Sequence, residues 1–473
     1  MLVHTKVDFT KKVIDWDGFG FNYVETAQTP DYTVDPQDYG GFSITDEKSR
    51  QEIVELVFGE KGLRPNLVKM FLDPFHQTEA KVNEPGPDKI DPACYDHETF
   101  TQWMRYFAKA GLRYSKAAGR PYEIITTLYG PPPFMTKQKL MRGRDLAPEY
   151  REELAKYLVA WVAYLRDTEG LPVKYISIHN EGEDYSRWPL DGSHGNIGTG
   201  HDYNLYWTPE AVAAFMPLLD EVIKANGLED VGATPGETSN WTRFYNWGYA
   251  NELANDPAAT EALGLITSHG FSGGLTSEAW HGDHRSVGID ALRGKRPELH
   301  SWVTSTSWSN MDAEFVYQIH GNIYSAKNNG IIPWAGVQRP PKWVGGDPNP
   351  GNAIQINEDG TYEVRKGYYY YKQVCPVGQA GMEVVQTYST DTSTCAMAFA
   401  SGKTKEPNAF VLVNANPEEA EFDLQILGGG KRFAGYRTSP TENGVQVEEL
   451  CLASGKATVT APGNSVTTFV QQD

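Results

Sequence analysis

The stretch "YREELAKYLVAWVAYLRDTEGLPVKYISIHNEGE", residues 150 to 183, decides how the fold is interpreted. Its first part, 150–170, carries apolar residues at spacings of three and four and ends at a glycine, as an amphipathic helix does. Its second part, 173–180, is a short β-branched run that stops abruptly at polar residues. A helix followed by a buried strand is one unit of an α/β fold.

Short apolar runs of the same kind recur along the chain, mostly separated by helical segments such as 45–59, 150–170 and 208–227. The runs lie at 17–24, 65–72, 122–129, 173–180, 231–235, 263–269, 299–305 and 330–337. This alternation predicts a (β/α)8 TIM barrel, because an open doubly wound sheet normally has fewer strands. The sequence also lacks the GxGxxG and GxxxxGK[ST] motifs that phosphate-binding open sheets often carry.

The pattern changes after "GYYYYKQVCPVGQ", residues 367–379. Helical periodicity stops, and short alternating strands follow, separated by Gly, Pro, Asn and Asp turns. We predict a β-sandwich here, and we expect the alternating N-terminal stretch to pair with it. The predicted domains are residues 1–15 joining the sandwich, the barrel at 16–366, and the C-terminal β-sandwich at 367–473.

The composition disfavours several classes of partner and site. A formal net charge of −19 and the lack of a basic stripe disfavour nucleic acids and anionic membranes, which bind through clustered Lys and Arg. No apolar run approaches the roughly 20 residues that cross a bilayer. The four cysteines have neither CxxC nor Cys/His spacing, so we expect no metal site and no disulfide framework.

Two further features bear on location and ligand. The N-terminal "MLVHTKVDFTKK" lacks an apolar secretory segment, so we expect a cytoplasmic protein, with secretion after removal of a leader as the alternative. Aromatic residues make up 12% of the chain, and flat rings with polar edges suit the faces of sugars.

The exit of the fourth predicted strand carries the strongest candidate for chemistry. In a barrel of this type the active site lies at the carboxyl ends of the strands. Here the strand ends in Asn180 and Glu181, followed by a glycine that permits a tight turn. Glu183, already past that glycine, ranks second. Glycoside cleavage needs two carboxyl groups, about 5 Å apart for retention and roughly 6.5 to 9.5 Å apart for inversion.

The whole chain resembles the retaining (β/α)8 glycoside hydrolases, and most closely glycoside hydrolase family 30, in which a barrel is fused to a β-sandwich made from both termini. The likeness is carried by "WDGFGFNYVE", "LYGPPPFM", "HNEGE", "GYYYYKQVCPVGQAGMEV" and "TVTAPGNSVTTFV". The resemblance implies that Glu181 is the acid/base and that Asn180 contacts the sugar 2-hydroxyl. The seventh strand of the family ends in Trp-x-Thr-Glu, and this chain has Ser305 at the position of the nucleophilic glutamate.

Three interpretations of Ser305 remain open. It is an inactivating replacement of the usual glutamate; or another carboxylate serves, such as Glu237, Asp312 or Glu314, including by an inverting mechanism; or the chain is a pseudoenzyme that binds carbohydrate without cleaving it. A serine nucleophile is disfavoured, because neither His269 nor His300 belongs to a recognisable triad motif.

The other predicted strand exits also carry side chains suited to sugars. We expect these substrate-binding candidates to lie at the barrel mouth: Glu25, Asp73, Tyr129, Trp188, Glu237, Trp241, His269, Trp308 and Trp334. Together with these residues, the resemblance to glycoside hydrolase family 30 implies a retaining hydrolase of β-linked glycans or glycosides that needs no cofactor. Its catalytic positions are Glu181 and Ser305, and hydrolysis is expected to be impaired by the serine while binding persists.

Overall fold

The computed structural model describes residues 2–25, 38–141, 143–184, 205–271, 284–306, 312–339 and 352–473. The chain begins with a long strand, β1 (Leu2–Asp15), which belongs to a β-sheet formed largely by the C-terminal region. None of the helices in these ranges is long and apolar enough to cross a membrane.

The next eight strands form the predicted barrel. They are β2 (Gly18–Asn22), β3 (Leu67–Leu72), β4 (Glu123–Leu128), β5 (Val173–Ser177), β6 (Gly232–Thr234), β7 (Ile266–Ser268), β8 (Ser301–Thr306) and β9 (Gly330–Pro333). All are parallel, in the order β6-β5-β4-β3-β2-β9-β8-β7. Parallel bridges from Ala233 to Leu263 and from Thr238 to Ser268 join the two ends, which closes the sheet. The (β/α)8 prediction is confirmed.

Helices surround these strands, and the three predicted helical segments are present. The helices are α1 (Glu47–Phe58), α2 (Gln102–Ala117), α3 (Arg151–Ala163), α4 (Pro209–Ala225), α5 (Trp241–Asn246), α6 (Tyr249–Asn255), α7 (Pro257–Ala262), α8 (Val287–Arg293), α9 (Ala313–His320) and α10 (Lys366–Tyr371). Most barrel strands are buried along their whole length, because helices cover one face and the barrel interior covers the other.

A packed apolar layer fills part of the barrel interior. Side chains from several barrel strands meet there: Leu67, Ile125, Leu265, Trp302 and Ile332. Lys69 and Thr127 stand two residues after the first two of these, in β3 and β4, and therefore face the same side of their strands. The barrel interior thus changes from apolar to polar between one layer and the next.

Two further sheets complete the fold. A small sheet contains β10 (Val337–Gln338), β11 (Ile354–Ile356) and β12 (Tyr362–Val364). The large one contains β13 (Glu383–Ser389), β14 (Thr394–Ala400), β15 (Ala409–Asn414), β16 (Ala420–Leu427), β17 (Arg432–Ser439), β18 (Glu442–Cys451), β19 (Lys456–Ala461) and β20 (Ser465–Gln471). Within it β1 pairs antiparallel with β13 and parallel with β16. One apolar cluster draws side chains from nearly all of these strands, so the sheet folds around its own core. The predicted sandwich built from both chain ends is confirmed.

Candidate active site

The segment after β5 places Glu181 in an unusual backbone conformation. Its φ angle is 55°, in the left-handed region that costs a residue with a side chain about 1 kcal/mol or more. The Glu181 amide donates to the Glu237 carbonyl at 2.7 Å, and the Glu237 amide donates to the His179 carbonyl at 3.0 Å. Strained residues held by neighbouring strands are common at functional sites. The fold therefore holds the Glu181 backbone firmly at the exit of the strand.

The side chains behind Glu181 form a continuous buried chain of polar groups. Glu181 Oε1 lies 2.8 Å from Nδ1 of His269, and Nε2 of the same ring lies 3.0 Å from Oε2 of Glu237. That carboxylate also receives hydrogen bonds from Lys69 Nζ at 2.5 Å and Thr127 Oγ1 at 2.7 Å. All five side chains are buried. We call Lys69, Glu237, His269 and Glu181 the charge chain.

The charged groups of the charge chain shift the pKa values of one another. Burial alone would raise the pKa of Glu237, but the Lys69 ammonium and the His269 ring outweigh burial and lower that pKa to about 2. Burial alone would lower the pKa of His269, but the carboxylates of Glu181 and Glu237 raise it overall. Nearby, burial lowers the pKa of His179 to about 3. Glu237 is therefore ionised at neutral pH, and His179 is neutral.

Ser305 lies near the carboxyl end of β8. The family resemblance predicts the second catalytic carboxylate at this position. The residue is buried. The pairing of β8 with β9 is irregular here, since three steps from Val303 to Thr306 match two steps from Ile331 to Pro333. Such a bulge re-aims a side chain and is frequent beside active sites.

His300 cannot serve Ser305 as a base. Its ring contacts Asp17 at 2.8 Å, and Trp302 Nε1 donates to the same carboxylate at 2.7 Å. Asp17 precedes β2 and His300 precedes β8, so this contact lies at the amino ends of the strands. With about 3.3 Å of rise per residue, the length of β8 separates His300 from Ser305.

Glu183 is engaged elsewhere, in a buried structural cluster. Its Oε1 accepts hydrogen bonds from the amide and hydroxyl of Ser239 at 2.8 and 2.7 Å, and from Arg243 at 3.1 Å. Both Glu183 and Arg243 are buried. These contacts tie the segment after β5 to the start of α5.

Two acidic candidates have local structural contacts. Glu25 Oε2 accepts hydrogen bonds from the amides of Trp103 and Met104 at 2.9 Å each, and thereby caps the start of α2. Asp73 Oδ1 accepts from the amide of Phe75 at 2.9 Å, and its other oxygen lies 3.5 Å from a ring nitrogen of His76. Both carboxylates are buried.

The aromatic candidates differ in their surroundings. Tyr129 and Trp334 both pack edge-on against Phe71, at ring distances of 5.3 and 5.9 Å, and Trp334 keeps 8% of its surface exposed. Trp241 is 1% exposed and donates to Asn322 at 3.1 Å. Trp188 and Trp308 lie outside the described residues.

Two of the residues that bind the Glu237 carboxylate are not among the residues singled out from the sequence. Lys69 and Thr127 lie inside apolar strands, where we expected only core. A lysine within a buried run is itself a signal, because a buried charge needs a partner. Across the described ranges, no three His, Cys, Asp or Glu side chains are grouped so that they could hold a metal ion.

Comparison with known proteins finds likeness in structure alone. No family model matches the chain, and no curated protein matches it. The catalytic domain of GH30 xylanase C from Talaromyces cellulolyticus superposes with a TM-score of 0.69 at 17% identity, covering 99% of this chain and 100% of that one. SrfJ from Salmonella typhimurium superposes with a TM-score of 0.71 at 15% identity, covering 99% of this chain and 93% of that one. The endo-β1,6-glucanase BT3312 superposes with a TM-score of 0.67 at 17% identity, covering 99% of this chain and 94% of that one. Over almost its full length, the chain has the barrel-and-sandwich fold of glycoside hydrolase family 30.

Proposed function

We propose that the protein is a glycoside hydrolase that acts on a β-linked glycan or glycoside. The observation that carries the proposal is the position of Glu181, a buried carboxyl group held at the exit of β5 and hydrogen-bonded to His269. The structural likeness to GH30 xylanases and to an endo-β1,6-glucanase supports the same class of reaction. Glu181 would protonate the departing glycosidic oxygen as its bond to the anomeric carbon breaks.

In a retaining mechanism, position 305 supplies the nucleophile. A carboxylate there would attack the anomeric carbon, and Glu181 would later remove a proton from the water that releases the sugar. Serine lacks this carboxylate. Neither His269 nor His300 is available as a base that would activate the serine hydroxyl, because each ring is hydrogen-bonded to a carboxylate elsewhere. We therefore expect the glycosylation step to be slow in this chain while sugar binding persists.

The alternative carboxylates are less well placed for the second role. Glu237 is fully buried, and both of its oxygens accept hydrogen bonds, from Thr127 on one side and from Lys69 and His269 on the other. An inverting mechanism in which Glu237 activates water would have to break this arrangement. Asp312 accepts from the amide of Glu314 at the start of α9.

A carbohydrate-binding protein without hydrolytic activity is the second candidate, and Ser305 itself favours it. The two candidates differ in what a restored carboxylate would do. In a hydrolase, Ser305→Glu returns the nucleophile to a site that is otherwise complete. In a binding protein, the same change leaves catalysis absent.

Turnover of a panel of aryl β-glycosides by the protein and by its Ser305→Glu variant tests the proposal. We expect the variant to gain several orders of magnitude in kcat/KM, with the β-anomer as first product in proton NMR. Azide added to the serine form should attack the anomeric carbon as the aryl oxide leaves, which gives an α-glycosyl azide. If neither form cleaves any member of the panel while sugars still bind, the binding protein is the better description. An α-anomer released by the serine form would instead support inversion.

A further inference from the structure

The His269 ring has both of its nitrogens committed. Nδ1 faces Glu181 at 2.8 Å and Nε2 faces Glu237 at 3.0 Å, and the ring is 2% exposed. A sugar hydroxyl could bond to a ring nitrogen only by displacing one of these carboxylates. This geometry favours a role for His269 that acts through Glu181 over direct contact with substrate.

The Glu237 end of the ring is fixed by a buried cation. Lys69 Nζ lies 2.5 Å from the oxygen of Glu237 that also faces His269, and both side chains are fully buried. An ionised carboxylate only accepts hydrogen bonds. Nε2 of His269 must therefore carry a hydrogen, which it donates to Glu237.

The Glu181 end of the ring is consequently the end where protonation can change. With a hydrogen on Nε2, Nδ1 offers either a lone pair or a second N–H to Glu181. A contact of 2.8 Å between Nδ1 and a carboxyl oxygen needs one hydrogen between them, because two facing lone pairs repel. The two groups therefore share one proton, located either on Glu181 or on His269.

We propose that His269 is a positioning residue that stores the catalytic proton together with Glu181, while Lys69 and Glu237 hold the ring in the tautomer that makes this sharing possible. The inference rests on the proposed function and deepens it. The titratable groups that act on the ring are Lys69 from β3, His179 and Glu181 after β5, and Glu237 after β6.

The arrangement serves both half-reactions. In the first, a carboxylate supplied at position 305 attacks the anomeric carbon, and the shared proton moves to the departing oxygen as the bond from that oxygen to the carbon breaks. The pair is then left with a carboxylate that faces a lone pair on Nδ1. In the second, water attacks the anomeric carbon as the bond from that carbon to the carboxylate at position 305 breaks, and a proton of the water passes to Glu181, which restores the shared hydrogen. Repulsion between the Glu181 carboxylate and the lone pair on Nδ1 favours the uptake of this proton.

The state of the ring can be measured without turnover. In protein labelled with ¹⁵N-histidine, the His269 signals are identified by their loss in His269→Asn. We expect Nε2 to remain protonated across the stable pH range, and Nδ1 to show a shift between those of a bare and a protonated nitrogen. Glu181→Gln should remove the titration of Nδ1. Lys69→Met should raise the pH at which Nδ1 titrates by about one unit or more, because the Lys69 ammonium disfavours a positively charged His269 ring.

A matched variant controls for general perturbation. Glu153→Gln alters a buried carboxylate that binds Gln77 and Asn83 instead of His269, and it should leave the His269 signals in place. The proposal is overturned if Nε2 proves unprotonated, or if Glu181→Gln and Lys69→Met both leave the ring signals unchanged.

Kinetics separate proton storage from a merely structural role. In a Ser305→Glu background, His269→Asn should lower kcat/KM by about 100-fold for phenyl glycosides, whose leaving group needs protonation. For dinitrophenyl glycosides, which need none, the loss should be small, and the alkaline limb of the pH profile should move. Equal losses for both substrates would contradict the proposal. Absence of turnover in Ser305→Glu would defeat the proposed function, whereas the labelled-histidine result would stand independently.

Discussion

Two glutamates that stand two positions apart, Glu181 and Glu183, have different surroundings. Glu181 is hydrogen-bonded to His269, and both residues belong to the charge chain. Glu183 bonds to Ser239 and Arg243 inside a packed cluster. The sequence ranked Glu181 first because of its place before the glycine, but only the contacts show what Glu183 holds in place.

Substitution of each glutamate by glutamine should separate the two positions. Glu183→Gln breaks a buried pair with Arg243 and should lower the free energy of unfolding by about 3 kcal/mol. Glu181→Gln should have a much smaller effect on stability while abolishing turnover of phenyl glycosides in the Ser305→Glu background. Urea unfolding followed by tryptophan fluorescence gives the first quantity. Equal stabilities for the two variants would contradict the structural role of Glu183.

The buried Glu237 should make stability depend on acid. Its pKa falls from an ordinary 4.5 in the unfolded chain to about 2 in the folded one, so the folded state binds fewer protons. Its contribution is fully present above about pH 4.5 and is lost as the pH falls toward 2. The difference in unfolding free energy between the unsubstituted chain and Glu237→Gln should therefore shrink between pH 6 and pH 3. A difference that stays constant over this interval would show that Glu237 is not ionised in the fold.

Elements, and not only residues, determine what the candidate positions do. The bulge in β8 between Val303 and Thr306 interrupts the alternation of side chains just where Ser305 stands. Glu25, predicted from its strand exit to face substrate, caps α2, whose own preceding residue Thr101 makes no side-chain cap. Alternation and strand exits are local patterns, and neither reports a bulge or a helix that arrives from elsewhere.

The cap on α2 leads to a prediction at the level of the helix. Glu25→Ala removes an acceptor for two amides and should lower the free energy of unfolding by about 1 to 2 kcal/mol. Glu25→Gln keeps an oxygen acceptor and should cost clearly less. Chemical unfolding of the two variants measures this difference. If both are equally destabilised, charge and not capping is what the helix requires.

At the scale of the whole molecule, the apolar core of the barrel extends into the sandwich, which also has a core of its own. Trp16 packs against Phe399 at a ring distance of 5.5 Å and donates to the carbonyl of Gly378 at 2.8 Å. Tyr371 donates to the Gly20 carbonyl at 2.6 Å, and Arg64 pairs with Glu406 at 3.2 Å. These contacts join the first barrel strand, and the residues that precede the first and second barrel strands, to the C-terminal region.

The shared core predicts that the two parts unfold together. All 12 tryptophans precede residue 344, and of these Trp16 contacts the sandwich, so tryptophan fluorescence reports mainly on the barrel, whereas far-UV circular dichroism reports on both parts. The two signals should give coincident urea transitions. Two resolved transitions, with fluorescence changing in only one of them, would show that the sandwich unfolds independently.

The sequence by itself determined the order of strands and helices, the closed barrel, the sandwich built from both ends, and the place of Glu181 and Ser305 at strand exits. These follow from periodicity and turn residues, which act over a few positions, together with the family motifs in the chain. Only the tertiary structure decided which polar groups meet. Lys69 and Glu237 are 168 residues apart, and His269 and Glu181 are 88 apart. Their contacts exist because the sheet closes on itself and excludes water, which forces each buried charge to find a partner from a distant strand.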